Sequence, residues 1–105
     1  MFVVVDLETT SAEVTLADPD DCTRFHVSVR GPGDEAGVDD ALRSTGTGWL
    51  HDGAAFVRVE RVQELAAAQV PDDWRERFGS MLEFAAGKGW MSDDGQAIRA
   101  HLEWQ

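Results

Sequence analysis

Across the first thirty residues apolar side chains recur at every second position, a rhythm that demands extended strands and rules out a helix there. Val3, Val5 and Leu7 fall on one face. Val14 and Leu16 alternate with Glu13 and Thr15, and Phe25, Val27 and Val29 alternate with Arg24, His26, Ser28 and Arg30. Successive side chains of a strand point to opposite faces, so each segment has one apolar and one wet side. Asp18-Pro19-Asp20-Asp21 supplies a turn between the second and third segments, since Pro presets φ and Asp tolerates a tight backbone. An antiparallel meander is expected.

The rest of the chain mixes both periods. Beyond Gly31-Pro32-Gly33, residues 34–45 predict a short helix with Val38, Ala41, Leu42 and Thr45 on one face. Trp49-Leu50, the turn His51-Asp52-Gly53 and Ala55 to Val59 read as a second hairpin, followed by a helical Glu60–Ala68 with Val62, Leu65 and Ala66 on one side. The strongest helix is 73–87. Trp74, Phe78, Met81, Leu82 and Ala85 share a stripe, and Asp73 with Glu76 is expected to form a capping box. Gly89 fits a left-handed closing position from which Trp90 folds back on Phe84 or Ala85. From residue 96 to 104 two readings stand: a terminal strand with Ile98, Ala100, Leu102 and Trp104 on one face, or a helix capped by Asp94.

The expected fold is therefore α+β: an antiparallel sheet of about five or six strands, with one main helix and one or two short helices packed on one face. The 105 residues suit a single domain, and a hydrophobic content of 43% supplies its core. One Lys against eight Arg, one Ile and no Asn or Tyr indicate a high-GC genome, bacterial in preference to halophilic archaeal. Met1 to Asp6 lacks the basic start of a signal peptide, and no apolar run approaches the length of a membrane span. Cys22, the one cysteine, stands among acids that discourage a reactive thiolate. A cytoplasmic protein without membrane association is expected.

Twenty acidic against nine basic residues give a formal charge of −11, which disfavours direct nucleic-acid binding and favours a basic protein partner. Asp20-Asp21, Asp39-Asp40, Asp72-Asp73 and Asp93-Asp94 each sit where a turn or helix start is expected, so capping is their first reading. No phosphate loop, HExxH, Cys/His cluster or nucleophile elbow is present. On this basis no catalytic, cofactor-binding or metal-binding residue is assigned, and enzyme status is left open with a leaning against.

One internal similarity suggests a site. Gly46-x-Gly48-Trp49-Leu50 with Asp52-Gly53-x-Ala55-Phe56 recurs as Gly87-x-Gly89-Trp90-Met91 with Asp94-Gly95-x-Ala97-Ile98. Repeated turn chemistry explains it economically; two corners flanking a tryptophan-lined cleft is the sharper reading. That cleft would hold Trp49, His51, Asp52, Trp90, Arg99, His101 and Glu103, for a small molecule or a metal.

Phe56-Val57-Arg58-Val59, the helix bearing Trp74 and Phe78, Gly89-Trp90 and Ala97-Ile98-Arg99-Ala100-His101-Leu102-Glu103-Trp104 together resemble a set of short actinobacterial proteins with no assigned activity. The resemblance covers about residues 56–104. It implies a high-GC bacterial origin and a self-contained domain, and no substrate or site residue. The functional expectation is an interaction or regulatory module for a protein partner, with the ligand-binding cleft as the alternative. Oligomeric state is not legible.

Overall fold

A computed structural model describes residues 1–8, 13–67 and 69–105 and places seven strands and three helices among them, in two sheets. The elements are β1 (Phe2–Asp6), β2 (Glu13–Ala17), β3 (His26–Arg30), α1 (Glu35–Ser44), β4 (Gly48–His51), β5 (Ala54–Arg58), α2 (Val59–Ala66), α3 (Trp74–Gly87), β6 (Ala97–Ala100) and β7 (Leu102–Trp104). The class is α+β, but the single antiparallel sheet is corrected in two respects. There are two sheets, ordered β2-β1-β3-β7 and β4-β5-β6, and the first is mixed. β1 pairs antiparallel with β2 but parallel with β3, and β3 pairs parallel with β7. The three early strands are thus no meander. Period-two patterning tells which residues share a face and is silent on the direction of the neighbouring strand. Here the connection from Asp18 to Phe25 carries the chain past β1, so β3 joins its other edge.

The terminal segment is extended, as one of its two readings required, yet it divides between sheets. β6 pairs with β5, with Val57 opposite Ile98, while β7 pairs with β3, with Val27 opposite Leu102. His101 is the corner, and its carbonyl accepts from the Val27 amide at 3.0 Å. Strands that switch sheets commonly make such corners.

The three helices follow their patterns closely, with a different set of caps. In α1, Val38, Ala41 and Leu42 are buried and the Asp34 side chain caps the Gly37 amide at 2.9 Å. In α3, Trp74, Phe78 and Ala85 are buried, whereas Met81 and Leu82 are only partly so. The Asp73 capping box does not form. Asp73 is itself helical, the Trp74 amide bonds Pro71 at 3.1 Å, and the Asp73 carboxylate lies 3.7 Å from Arg77. Both α1 and α3 close with paired bonds around a left-handed glycine: Thr47 to Leu42 and Gly46 to Arg43 in one, Trp90 to Ala85 and Gly89 to Ala86 in the other. The closing glycines are Gly46 and Gly89, which do not correspond in the internal repeat. Its two turns do correspond, since Gly53 and Gly95 both have positive φ.

Inner-face residues of both sheets, among them Val3, Val29, Val57 and Ile98, meet the buried sides of all three helices in one core. α3 is tied to the β2–β3 connection. The Trp74 indole N–H donates to the Pro19 carbonyl at 2.5 Å and Arg77 donates to the Asp20 carbonyl at 2.9 Å. That tie sets one wall of the site described next.

Candidate functional site

Two adjoining clefts open where β6, the β2–β3 connection and the end of α3 meet. The first, of about 620 Å³, has Met81, Phe84 and Ala85 of α3 on one side, Cys22 to Phe25 on the other, and Ile98 between. The second, of about 720 Å³, runs from Thr23–His26 to Asp52–Ala54 and to Ala100, His101 and Glu103. Arg24, Trp90 and Arg99 border both. Trp90 reaches this position because the α3 closure turns the chain back, and the Arg99 amide donates to its carbonyl at 2.6 Å. Its ring stays 44% exposed, edge-on to Phe84 at 5.9 Å.

Asp52, Trp90, Arg99, His101 and Glu103, five residues of the sequence-derived cleft, line the second cleft. Trp49 and His51 lie apart from that lining. Trp49 stacks on Phe56 at 5.6 Å, and His51 lies 6.4 Å from the same ring. Register explains the separation: Trp49, Phe56 and Arg99 are successive cross-strand partners, so Trp49 and Trp90 stand toward opposite edges of the three-stranded sheet. The repeat places its tryptophans in one row and does not face them across a gap.

The sequence-derived cleft left out His26, Arg24, Phe84 and Phe2. The parallel β3–β7 pairing sets His26 beside His101 and Ser28 beside Glu103 on the outer face of the four-stranded sheet. His26 Nε2 lies 2.9 Å from one Glu103 oxygen and His101 Nε2 lies 3.3 Å from the other. The imidazoles stack at 5.5 Å, and Phe2 covers the other side of His26 at 4.8 Å. Burial under that ring is the main influence on His26 and holds its pKa below the ordinary 6.5; Glu103 pulls the other way. The only available signal was the shared wet face of His26, His101 and Glu103, which means nothing until the strand direction is known.

The two linings together carry Arg24, Arg77 and Arg99 against Asp20, Asp21, Asp52 and Glu103. Arg77 is paired with Asp20 and Asp73, whereas Arg24 and Arg99 have no carboxylate partner among the described residues. Burial raises the Cys22 thiol above its ordinary value, leaving it protonated and a poor nucleophile. The Asp pairs divide. Asp21 accepts from the Thr23 amide and hydroxyl, and Asp94 from the Ser92 hydroxyl and Gln96 amide, as turn residues do. Asp39-Asp40 lies inside α1 and caps nothing. The Asp39 carboxylate instead accepts from the Leu50 amide at 2.8 Å and pairs with Arg43, fastening α1 to β4. Chiefly through the Leu50 bond its pKa falls below the usual value, as does that of Asp94 through Ser92.

No helix among the described residues is long and apolar enough to cross a membrane. No known family pattern matches the chain, and neither a curated protein nor a solved structure does.

Proposed function

We propose that this chain is a small cytoplasmic binding protein, of the short actinobacterial kind, that takes a planar aromatic ligand bearing a carboxylate or phosphate at the junction of its two clefts. One observation carries the reading: Trp90 and Arg99 stand together at that junction, the ring half exposed and the guanidinium without a carboxylate partner among the described residues. An exposed indole offers a stacking face, and an unpaired guanidinium matches a carboxylate or phosphate in a bidentate fork. Arg24 borders both clefts and adds a second cation. Two arginines with no ion-pair partner among the described residues, beside an aromatic ring, favour an anionic guest at the junction. The one thiol at the site is held protonated and is a poor nucleophile.

The test is a panel of aromatic carboxylates and mononucleotides screened by thermal shift and tryptophan emission, on the parent chain and on Arg99→Ala and Trp90→Phe. A ligand that raises stability in the parent and binds at least tenfold more weakly to Arg99→Ala supports the proposal. No response across the panel, or a response in both variants equal to the parent's, refutes it.

A basic protein partner is the second reading, favoured by twenty acidic residues against nine basic ones. Asp39 and Asp94 are occupied by local hydrogen bonds, so Asp40 and Asp93, both exposed, would carry more of the attraction. Capture from the native host at low and high salt tests it. A basic partner released between roughly 50 and 500 mM salt, where screening shortens to a few ångströms, supports it, and a salt-indifferent one counts against it.

A further inference from the structure

We propose that His26, His101 and Glu103 form a zinc site on the outer face of the four-stranded sheet, with its open coordination position toward the second cleft. Two imidazoles and one carboxylate suit zinc and its transition-metal neighbours, whereas calcium and magnesium take oxygen ligands. Three protein ligands with a fourth position open is the arrangement of zinc sites that bind a further molecule.

The geometry is close to what the ion needs. Zinc bonds of about 2.0 to 2.2 Å at tetrahedral angles hold ligand atoms roughly 3.3 to 3.5 Å apart. The Glu103 carboxylate sits 2.9 Å from His26 Nε2 and 3.3 Å from His101 Nε2, and the ligand atoms of all three residues lie within 4.8 Å of one another. The widest separation, up to 4.8 Å, closes by about 1.4 Å through side-chain rotation to complete the set. Both imidazoles already turn Nε2 to Glu103, and this follows from the backbone: His26 opens β3, His101 is the corner residue just before β7 whose carbonyl accepts from the Val27 amide, and Glu103 is two residues on in β7. Phe2 stacks on His26 and fixes its plane.

Zinc requires neutral imidazole, so its binding weakens as pH falls through the histidine range. On binding, each imidazole carries its hydrogen on Nδ1 and gives its Nε2 lone pair to the ion, which clamps β7 to β3 beside the corner where the chain changes sheets. The site borders the second cleft with Asp52 and Arg99, so a ligand anion reaching the open position would meet both ion and guanidinium. The zinc proposal stands without the ligand reading.

The experiment uses the full chain stripped by a chelator, with zinc as the sole added probe. At free zinc one hundred times its dissociation constant, the folded-to-unfolded ratio should rise about a hundredfold, seen as a higher melting temperature. Magnesium and calcium should give no shift. His101→Ala and Glu103→Gln alter exposed side chains and leave the core intact, and each should abolish most of the zinc shift. Cobalt in place of zinc should give the visible absorption of a low-symmetry nitrogen and oxygen site. Absence of a zinc shift in the parent overturns the proposal, as does its survival in both variants. So does a cobalt–thiolate charge-transfer band, which would move the ion to Cys22.

Discussion

Truncating two phenylalanines six residues apart on the same helix should give opposite results. Phe78 is 1% exposed and its ring stacks on Trp74 at 4.7 Å, within the tie that holds α3 to the β2–β3 connection. Phe84 is 59% exposed and touches Trp90 edge-on at the cleft. Removing a fully buried Phe side chain forfeits its transfer free energy and leaves a cavity, together about 3 to 5 kcal/mol. Phe78→Ala should therefore remove a large part of a total stability that for such a domain is about 5 to 15 kcal/mol. Phe84→Ala loses one aromatic contact and little burial, under about 1 kcal/mol. Leu82, only partly buried, should fall between, at about 2 kcal/mol or less. Urea denaturation followed by far-ultraviolet circular dichroism measures all three, with an unchanged m-value as the check that the unfolded state is comparable. A Phe78→Ala cost below about 1 kcal/mol, or costs equal for Phe78 and Phe84, would refute the packing of α3 given above.

Gly48→Ala should destabilise the β4–β5 hairpin, because an added Cβ collides with the Phe56 carbonyl and neither backbone can yield; a melting temperature equal to the parent's would contradict that close approach. Asp39→Ala should lower the melting temperature more than Asp40→Ala, since only Asp39 bridges α1 to the Leu50 amide. The Asp39 pKa is depressed, so its contribution exists above the ordinary carboxylate range and disappears as pH falls through that range; the gap between parent and Asp39→Ala should close in acid. His26 works in the same direction for a different reason. Its folded pKa lies below 6.5, under burial and the repulsion of His101 and the N-terminal amine, against the pull of Glu103. The unfolded chain therefore binds the extra proton, and stability falls as pH drops below about 6.5. His26→Gln should flatten that part of the stability–pH curve, and an unchanged slope would count against it.

Local features of the fold were legible because local physics decides them. The buried face of α1, the Asp52-Gly53 turn with both residues at positive φ, and the Gly89 closure each need only the residues nearby. The parallel pairing of β1 with β3 was not legible, since Val27 and Val29 alternate identically whichever way the neighbour runs. Nor was the sheet change at His101: Ile98 to Trp104 keeps one unbroken alternation through a corner made by tertiary contacts. The site inherits both gaps. Trp90, Arg99, His101 and Glu103 belong to β6, β7 and the connections flanking them, and Asp52 to the β4–β5 turn, and the sequence placed them near one another. His26 joins them only through the parallel register, and Trp49 leaves them because an antiparallel sheet separates strands that the repeat made look equivalent.

The central claim, that the junction at Trp90 and Arg99 is the working surface, is tested most directly by mapping amide and indole signals in a nitrogen–proton correlation spectrum. An aromatic carboxylate is titrated into the labelled chain. The account predicts shifts at the Trp90 indole, the Arg99 amide and residues 23–25, with the Trp49 and Trp74 indoles unmoved, since one stacks on the far part of the sheet and the other is buried. Shifts centred on Trp49 and His51, or a ligand that binds while the Trp90 indole and Arg99 amide stay still, would contradict it.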